Sequence, residues 1–123
     1  MKKMNENETQ SLYIASLREI FRKRAVSLMS QLSRSVARVT SYDEEACQEY
    51  GEEVKSQRVL AEKLLYVQQC RNALEQCIAT GAYAMRYHWS NGSVTEIRFR
   101  KTSPHRVRVE ESTKNLKYAK TSS

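Results

Sequence analysis

Arg86, His88, Arg98 and Arg100 recur at every second position in two short runs of a 123-residue chain, and Arg106 and Arg108 repeat the spacing just downstream. Alternation puts such side chains on one face of a strand. Neighbouring guanidinium groups there suit the oxygens of phosphates or carboxylates, because each presents a planar fork of donors. These six residues are therefore the candidate site for a nucleic acid or another anionic partner, with Glu96 and Glu110 diluting the charge. The plain alternative is a solvated face with a bias toward arginine.

Other chemistry-bearing residues form no constellation. His88 and His105 are the only histidines, and neither has an acid–base partner or nucleophile at a motif spacing. With only three glycines, no Gly-rich phosphate cradle can be written. Cys70 and Cys77 lie two helical turns apart, about 10 Å, too far for a disulfide or a shared metal ion. They read as small core residues on an apolar stripe. No Cys-x-x-Cys pair is present. No catalytic residue, metal ligand or cofactor is expected.

The aromatic residues Tyr83, Tyr87, Trp89 and Phe99 have two readings. They form a platform on which bases stack, or they are the buried face of a sheet. Their sharing a face with Met85 and Ile97 favours the buried face. Arg22-Lys23-Arg24 is a second, weaker basic cluster.

The net charge is +7, unevenly spread. Residues 1–41 carry 8 basic and 3 acidic side chains, residues 42–81 carry 4 and 8, and residues 82–123 carry 9 and 3. A basic balance points to an anionic partner and equally serves solubility. The odd count of three cysteines excludes a complete intrachain disulfide framework and fits a reducing, cytoplasmic setting. Lys2 and Lys3 are followed by polar residues and not by the apolar core of a signal peptide. No apolar run approaches the ~20 residues that span a bilayer. Asn91-Gly92-Ser93 reads as a turn.

The elements that position these residues follow from periodicity. From Thr9 to Val39 the chain has neither Gly nor Pro. Ile14, Leu17, Phe21, Ala25, Leu28, Leu32, Val36 and Val39 make one helical stripe. Ser41-Tyr42-Asp43-Glu44 matches a capping box and starts a second helix near Asp43. That helix runs to Thr80, where Gly81 supplies its C-terminal cap. Its stripe is Cys47, Tyr50, Val54, Ala61, Leu64, Val67, Cys70, Leu74, Cys77 and Ile78, with Leu60 at the edge. Gly51, inside it, is the place for a kink. The short connection implies an antiparallel hairpin over 9–80. A turn near 40–42 would set Arg38 beside Glu45, Arg34 beside Glu49, Arg22 beside Glu62 and Glu19 beside Lys63.

After Gly81 the period falls to two. The runs 83–89 and 95–100 flank Ser90-Asn91-Gly92. A three-residue loop with Gly92 in the left-handed region pairs Arg86 with Glu96, Met85 with Ile97 and Tyr83 with Phe99, keeping the two faces separate. Arg106 to Glu110 alternates like a third strand, although Ser103-Pro104 also resembles a helix start. Residues 1–8 and the Lys-rich tail 112–123 are expected to be disordered. The expected fold is α+β: one domain over 9–111, with a long antiparallel helical hairpin followed by a two- or three-stranded antiparallel sheet over 82–110.

Ala73-Leu74, Thr80-Gly81, the strand Tyr83 to Tyr87, Gly92, the strand Thr95 to Arg100 and Thr102-Ser103 together resemble the core of the W-type head-completion proteins of tailed phages. The resemblance covers residues 73–103. It implies a ring-forming head–tail connector near a DNA channel, hence a virion-associated protein, with a second helix entered through a Thr-Ser-like cap.

The functional expectation is a non-catalytic adaptor or assembly protein. It would associate with itself or a protein partner through the helical hairpin and would not engage a membrane. Its basic sheet would meet DNA, RNA or an acidic protein. A nucleic-acid-binding regulator, and an inhibitor or chaperone gripping an acidic partner, are the alternatives.

Overall fold

The computed structural model describes residues 9–41 and 47–115. The chain forms strand β1 (Thr9–Tyr13), helix α1 (Ile14–Ser41), helix α2 (Cys47–Thr80), and strands β2 (Ala82–His88), β3 (Ser93–Ser103) and β4 (Arg106–Asn115). The fold is α+β, with a helical hairpin and a four-stranded antiparallel sheet in the order β1-β4-β3-β2. It divides into two compact units, one holding the sheet with residues up to 19 and from 69 onward, the other holding Ile20–Gln68.

In the sheet unit, β2 and β3 pair as the alternation requires, with Arg86 opposite Glu96, Met85 opposite Ile97 and Tyr83 opposite Phe99. The Trp89 amide donates to the Ser93 carbonyl at 2.9 Å and the Gly92 amide donates to the Trp89 carbonyl at 3.0 Å. Gly92 has φ +93°, where a Cβ would be strained. The Asn91 side-chain oxygen accepts from the Ser93 amide and hydroxyl at 2.9 and 2.7 Å, bracing the loop.

The sheet exceeds the expected two or three strands in two ways. Thr9–Tyr13 is a strand and not the start of α1. It pairs with β4, Leu12 facing Val107 and Tyr13 facing Arg106, and the Ile14 amide closes the ladder by donating to the His105 carbonyl at 2.8 Å. No turn residue separates strand from helix, so the apolar spacing of the helix runs unbroken into it. Secondly, β4 continues to Asn115, so Ser112–Asn115 belong to the sheet and not to a tail. Pairing with the long β3 overrides their polar composition. The expected disorder of 1–8 and 116–123 lies outside the described residues.

One sheet face is covered. Tyr87, Ile97, Phe99 and Val107 are buried with Ile14 and Leu17 of α1 and Cys70, Ala73, Leu74 and Cys77 of α2. Cys70 and Cys77 are free thiols in this core, and burial pushes the Cys77 thiol up. Gly81 (φ +99°) ends α2, its amide donating to the Cys77 carbonyl at 2.7 Å. Its own carbonyl accepts from the Lys101 amide at 2.8 Å, tying the helix end to β3.

In the helical unit, α1 is described to Ser41 and α2 from Cys47. Residues 42–46, where the start of the second helix was expected, lie outside the described residues. Glu53 accepts from the Ser35 hydroxyl and, at 2.6 Å, from Arg38; Glu45, the partner expected for Arg38, lies outside the described residues. Arg34 donates to Ser30 Oγ at 3.0 Å on its own helix. Ser35 is fully buried whereas Val36 is 47% exposed. The stripe keeps a three-four rhythm through Phe21, Ala25, Leu28, Leu32 and Ser35, and Val36 falls outside it. Likewise Tyr66 and Val67 are buried on α2 while Ala61 is exposed. Among the described residues, no helix is long and apolar enough to cross a membrane.

Candidate functional site

Strand register decides which side chains share the uncovered face. Across β2 and β3, Ala82 faces Arg100, Ala84 faces Arg98, Arg86 faces Glu96 and His88 faces Val94. Across β3 and β4, Arg100 faces Arg108, Arg98 faces Glu110, Glu96 faces Ser112 and Val94 faces Lys114. Across β4 and β1, Arg108 faces Ser11 and Arg106 faces Tyr13. Alternation along each strand places all of these on one side. Arg86, His88, Arg98, Arg100, Arg106 and Arg108, the six residues singled out by spacing, thus share one face.

Among the described residues, that face carries six permanent cations, the five arginines and Lys114, against the carboxylates of Glu96 and Glu110. Arg98 donates toward Glu96 at 3.0 Å and lies 3.7 Å from Glu110, while Arg86 reaches Glu96 at 3.4 Å. Exposed pairs of this kind contribute only ~0.2–1 kcal/mol, so they hold the middle of the face without closing it. The Arg106 guanidinium stacks over the Tyr13 ring at 4.0 Å from its centroid and donates to the Ser11 carbonyl at 3.4 Å. Arg100 and Arg108 meet neither a carboxylate nor a side-chain hydrogen-bond acceptor among the described residues.

Two depressions mark the face. One, of about 520 Å³, has Ala82 and Ala84 as its floor and Arg98, Arg100, Arg108 and Glu110 around it. The other, of about 230 Å³, lies between Arg86, His88, Val94, Glu96, Ser112 and Lys114. Spacing alone missed Lys114, because Ser112–Asn115 carry no apolar alternation. It also missed the alanine floor, although the expected β2–β3 register already set Ala82 and Ala84 against Arg100 and Arg98.

The aromatic residues lie on the other side. Tyr87 and Phe99 are buried, and Trp89 packs edge-on against Tyr87 at 4.7 Å and donates to Thr95 Oγ1 at 2.7 Å. Tyr83 is on the same side, 43% exposed at its margin. The core reading of this cluster accounts for their positions, and among the described residues the arginine face has one aromatic ring, Tyr13, which carries Arg106.

His105 sits exposed in the β3–β4 turn, away from the alternating arginines, and His88 lies in the smaller depression. Among the described residues, no three His, Cys, Asp or Glu side chains converge to hold a metal ion. Lys23 and Arg24 are exposed on α1, outside the sheet. An ion pair that sequence spacing did not reveal joins Arg18 and Glu75 through two bonds of 2.8 Å. The Arg18 hydrogen bonds hold the Glu75 carboxyl below the usual carboxylate range and raise Arg18 in turn.

At Thr102-Ser103, where the phage resemblance implies entry into a helix, the chain passes through the Pro104-His105 turn into β4. No protein family, curated protein or solved structure matches the chain.

Proposed function

We propose that this chain is a non-catalytic adaptor that docks an anionic partner on the uncovered face of its sheet. The observation that carries the reading is the placement of Arg100 directly opposite Arg108, with no carboxylate between them. Like charges facing each other across a strand pair are destabilising by a few tenths of a kcal/mol or more, and a bound anion relieves them. Exposed apolar residues on the helical hairpin, among them Val26, Met29 and Val59, suit it to contact a protein or a second copy. A cytoplasmic setting accords with the free thiols of Cys70 and Cys77.

Retention on immobilised heparin, a generic polyanion, tests the reading. The variant Arg100→Glu/Arg108→Glu is compared with Lys23→Glu/Arg24→Glu, which changes net charge equally on a helix. The sheet variant should elute at distinctly lower salt than the helix variant. Equal losses would mean that net charge alone governs retention, and the sheet face would have no special role.

A further inference from the structure

We infer that the anionic partner is duplex nucleic acid, held by its sugar–phosphate backbone at two separate seats on the sheet face and without stacking on bases. The inference rests on the docking role proposed for that face and adds the partner's class and pose.

The first seat is the depression floored by Ala82 and Ala84, where Arg98, Arg100 and Arg108 converge. Two methyl side chains keep the floor low, so an oxygen-rich group can reach the guanidinium forks from above. Phosphate oxygens match that fork geometry in a bidentate manner. The second seat is the smaller depression, where His88, Lys114 and Arg86 supply the donors.

Both seats lie on one face, and on β3 their outer ends are marked by Arg100 and Val94. Those outer ends are six positions, about 20 Å, apart along the strand, and the seats' centres four positions, about 13 Å. No single small anion covers that distance. Where the two seats adjoin, Glu96 and Glu110 offset the charges of Arg86 and Arg98, so the face is basic at both ends and close to neutral in the middle. A duplex has that pattern in reverse, two phosphate strands flanking a major groove of about 12 Å. One strand then meets each seat while the groove lies over the middle. A continuous acidic protein surface would instead press carboxylates onto Glu96 and Glu110.

Single-stranded binders obtain much of their affinity from bases stacked on aromatic rings. Here Tyr87 and Phe99 are buried on the opposite side, and Tyr13, 53% exposed, already carries the Arg106 guanidinium on its ring. Among the described residues the face offers six cations and one ring already engaged by an arginine, which favours the duplex and makes recognition independent of sequence.

The test is fluorescence anisotropy on the full chain across a salt series. The probes are two 20-base-pair DNA duplexes of unrelated sequence, one of their single strands, and poly-glutamate. The variants are Arg100→Gln/Arg108→Gln in the first seat and His88→Gln/Lys114→Gln in the second, each checked for native circular dichroism. Both duplexes should bind alike and at least several-fold tighter than the single strand or poly-glutamate. The first-seat variant should lower the slope of log affinity against log salt by about two, at ~0.9 per lost phosphate contact. The second-seat variant should lower it by about one, for the phosphate contact of Lys114. Stronger binding to the single strand or to poly-glutamate, or a loss confined to one seat, overturns the inference. Retention on heparin through Arg100 and Arg108 without duplex binding would overturn it while leaving the docking role intact.

Discussion

Arg100 of β3 and Arg108 of β4 face each other directly in the antiparallel ladder, on the side of the sheet that carries Arg86, Arg98 and Lys114. Nearby Glu96 and Glu110 are engaged by Arg86 and Arg98. A folded chain that needed only stability would place a carboxylate or a threonine at one of the two positions. Changing Arg108 to Thr should therefore stabilise the protein, by ~0.2–1 kcal/mol in urea unfolding at low salt. The gain should shrink as salt screens the repulsion. The same change should weaken retention on heparin. Stabilisation together with lost binding is the signature of a residue kept for a partner.

Acid sensitivity should trace in part to Arg18 and Glu75. Hydrogen bonds from Arg18 depress the Glu75 carboxyl, so near the bottom of the carboxylate range the unfolded chain binds a proton that the folded one refuses. The associated stability is present above the ordinary glutamate pKa and is lost as pH falls through the depressed value. Replacing Arg18 by Ala should flatten that part of the stability profile, measured by thermal unfolding between neutral and acid pH. Glu53, depressed first by the Ser35 hydroxyl and then by Arg38, should behave in the same sense, and Ser35→Ala should reduce its share.

Gly92 should resist substitution. Its φ of +93° closes the β2–β3 loop in a region that costs an L-residue about 1–2 kcal/mol. Gly92→Ala should lower stability by roughly that amount, read from chemical denaturation, and shift the amide resonances of Trp89 and Ser93 at the ends of the loop. An unchanged unfolding midpoint would contradict the turn assigned here.

Phe99 is buried at the centre of the sheet, between Tyr83 of β2 and Val109 of β4. Truncation to Ala should cost about 3–5 kcal/mol, as for other large buried aromatics. Arg98→Ala, its neighbour on the open face, should change stability by less than ~1 kcal/mol. The contrast, measured in one denaturation series, separates the covered face from the uncovered one.

What could be read in the sequence was local. The helical spacing, the Gly81 stop and the alternation around Ser90-Asn91-Gly92 each depend on residues a few positions apart, and so does the sharing of one face by the six candidate residues. What escaped depended on partners far along the chain. Thr9–Tyr13 becomes a strand because β4, nearly a hundred residues later, supplies its hydrogen bonds, and its apolar spacing imitates the helix that follows. Lys114 joins the face because β3 is long enough to carry β4 beyond its apolar stretch. In the helical hairpin the contact of the buried Ser35 with Glu53 was not legible, because a serine on an apolar stripe gives no local signal of the carboxylate it meets eighteen residues later.

The central claim is that the uncovered sheet face is the binding surface. It is tested most directly by mapping amide and arginine side-chain resonances during titration with a heparin-derived oligosaccharide. The account predicts progressive shifts at Arg86, His88, Arg98, Arg100, Arg108 and Lys114, with the helical segment Ile20–Gln68 largely unmoved. Shifts confined to that helical segment, or spread evenly over every exposed lysine and arginine, would contradict it.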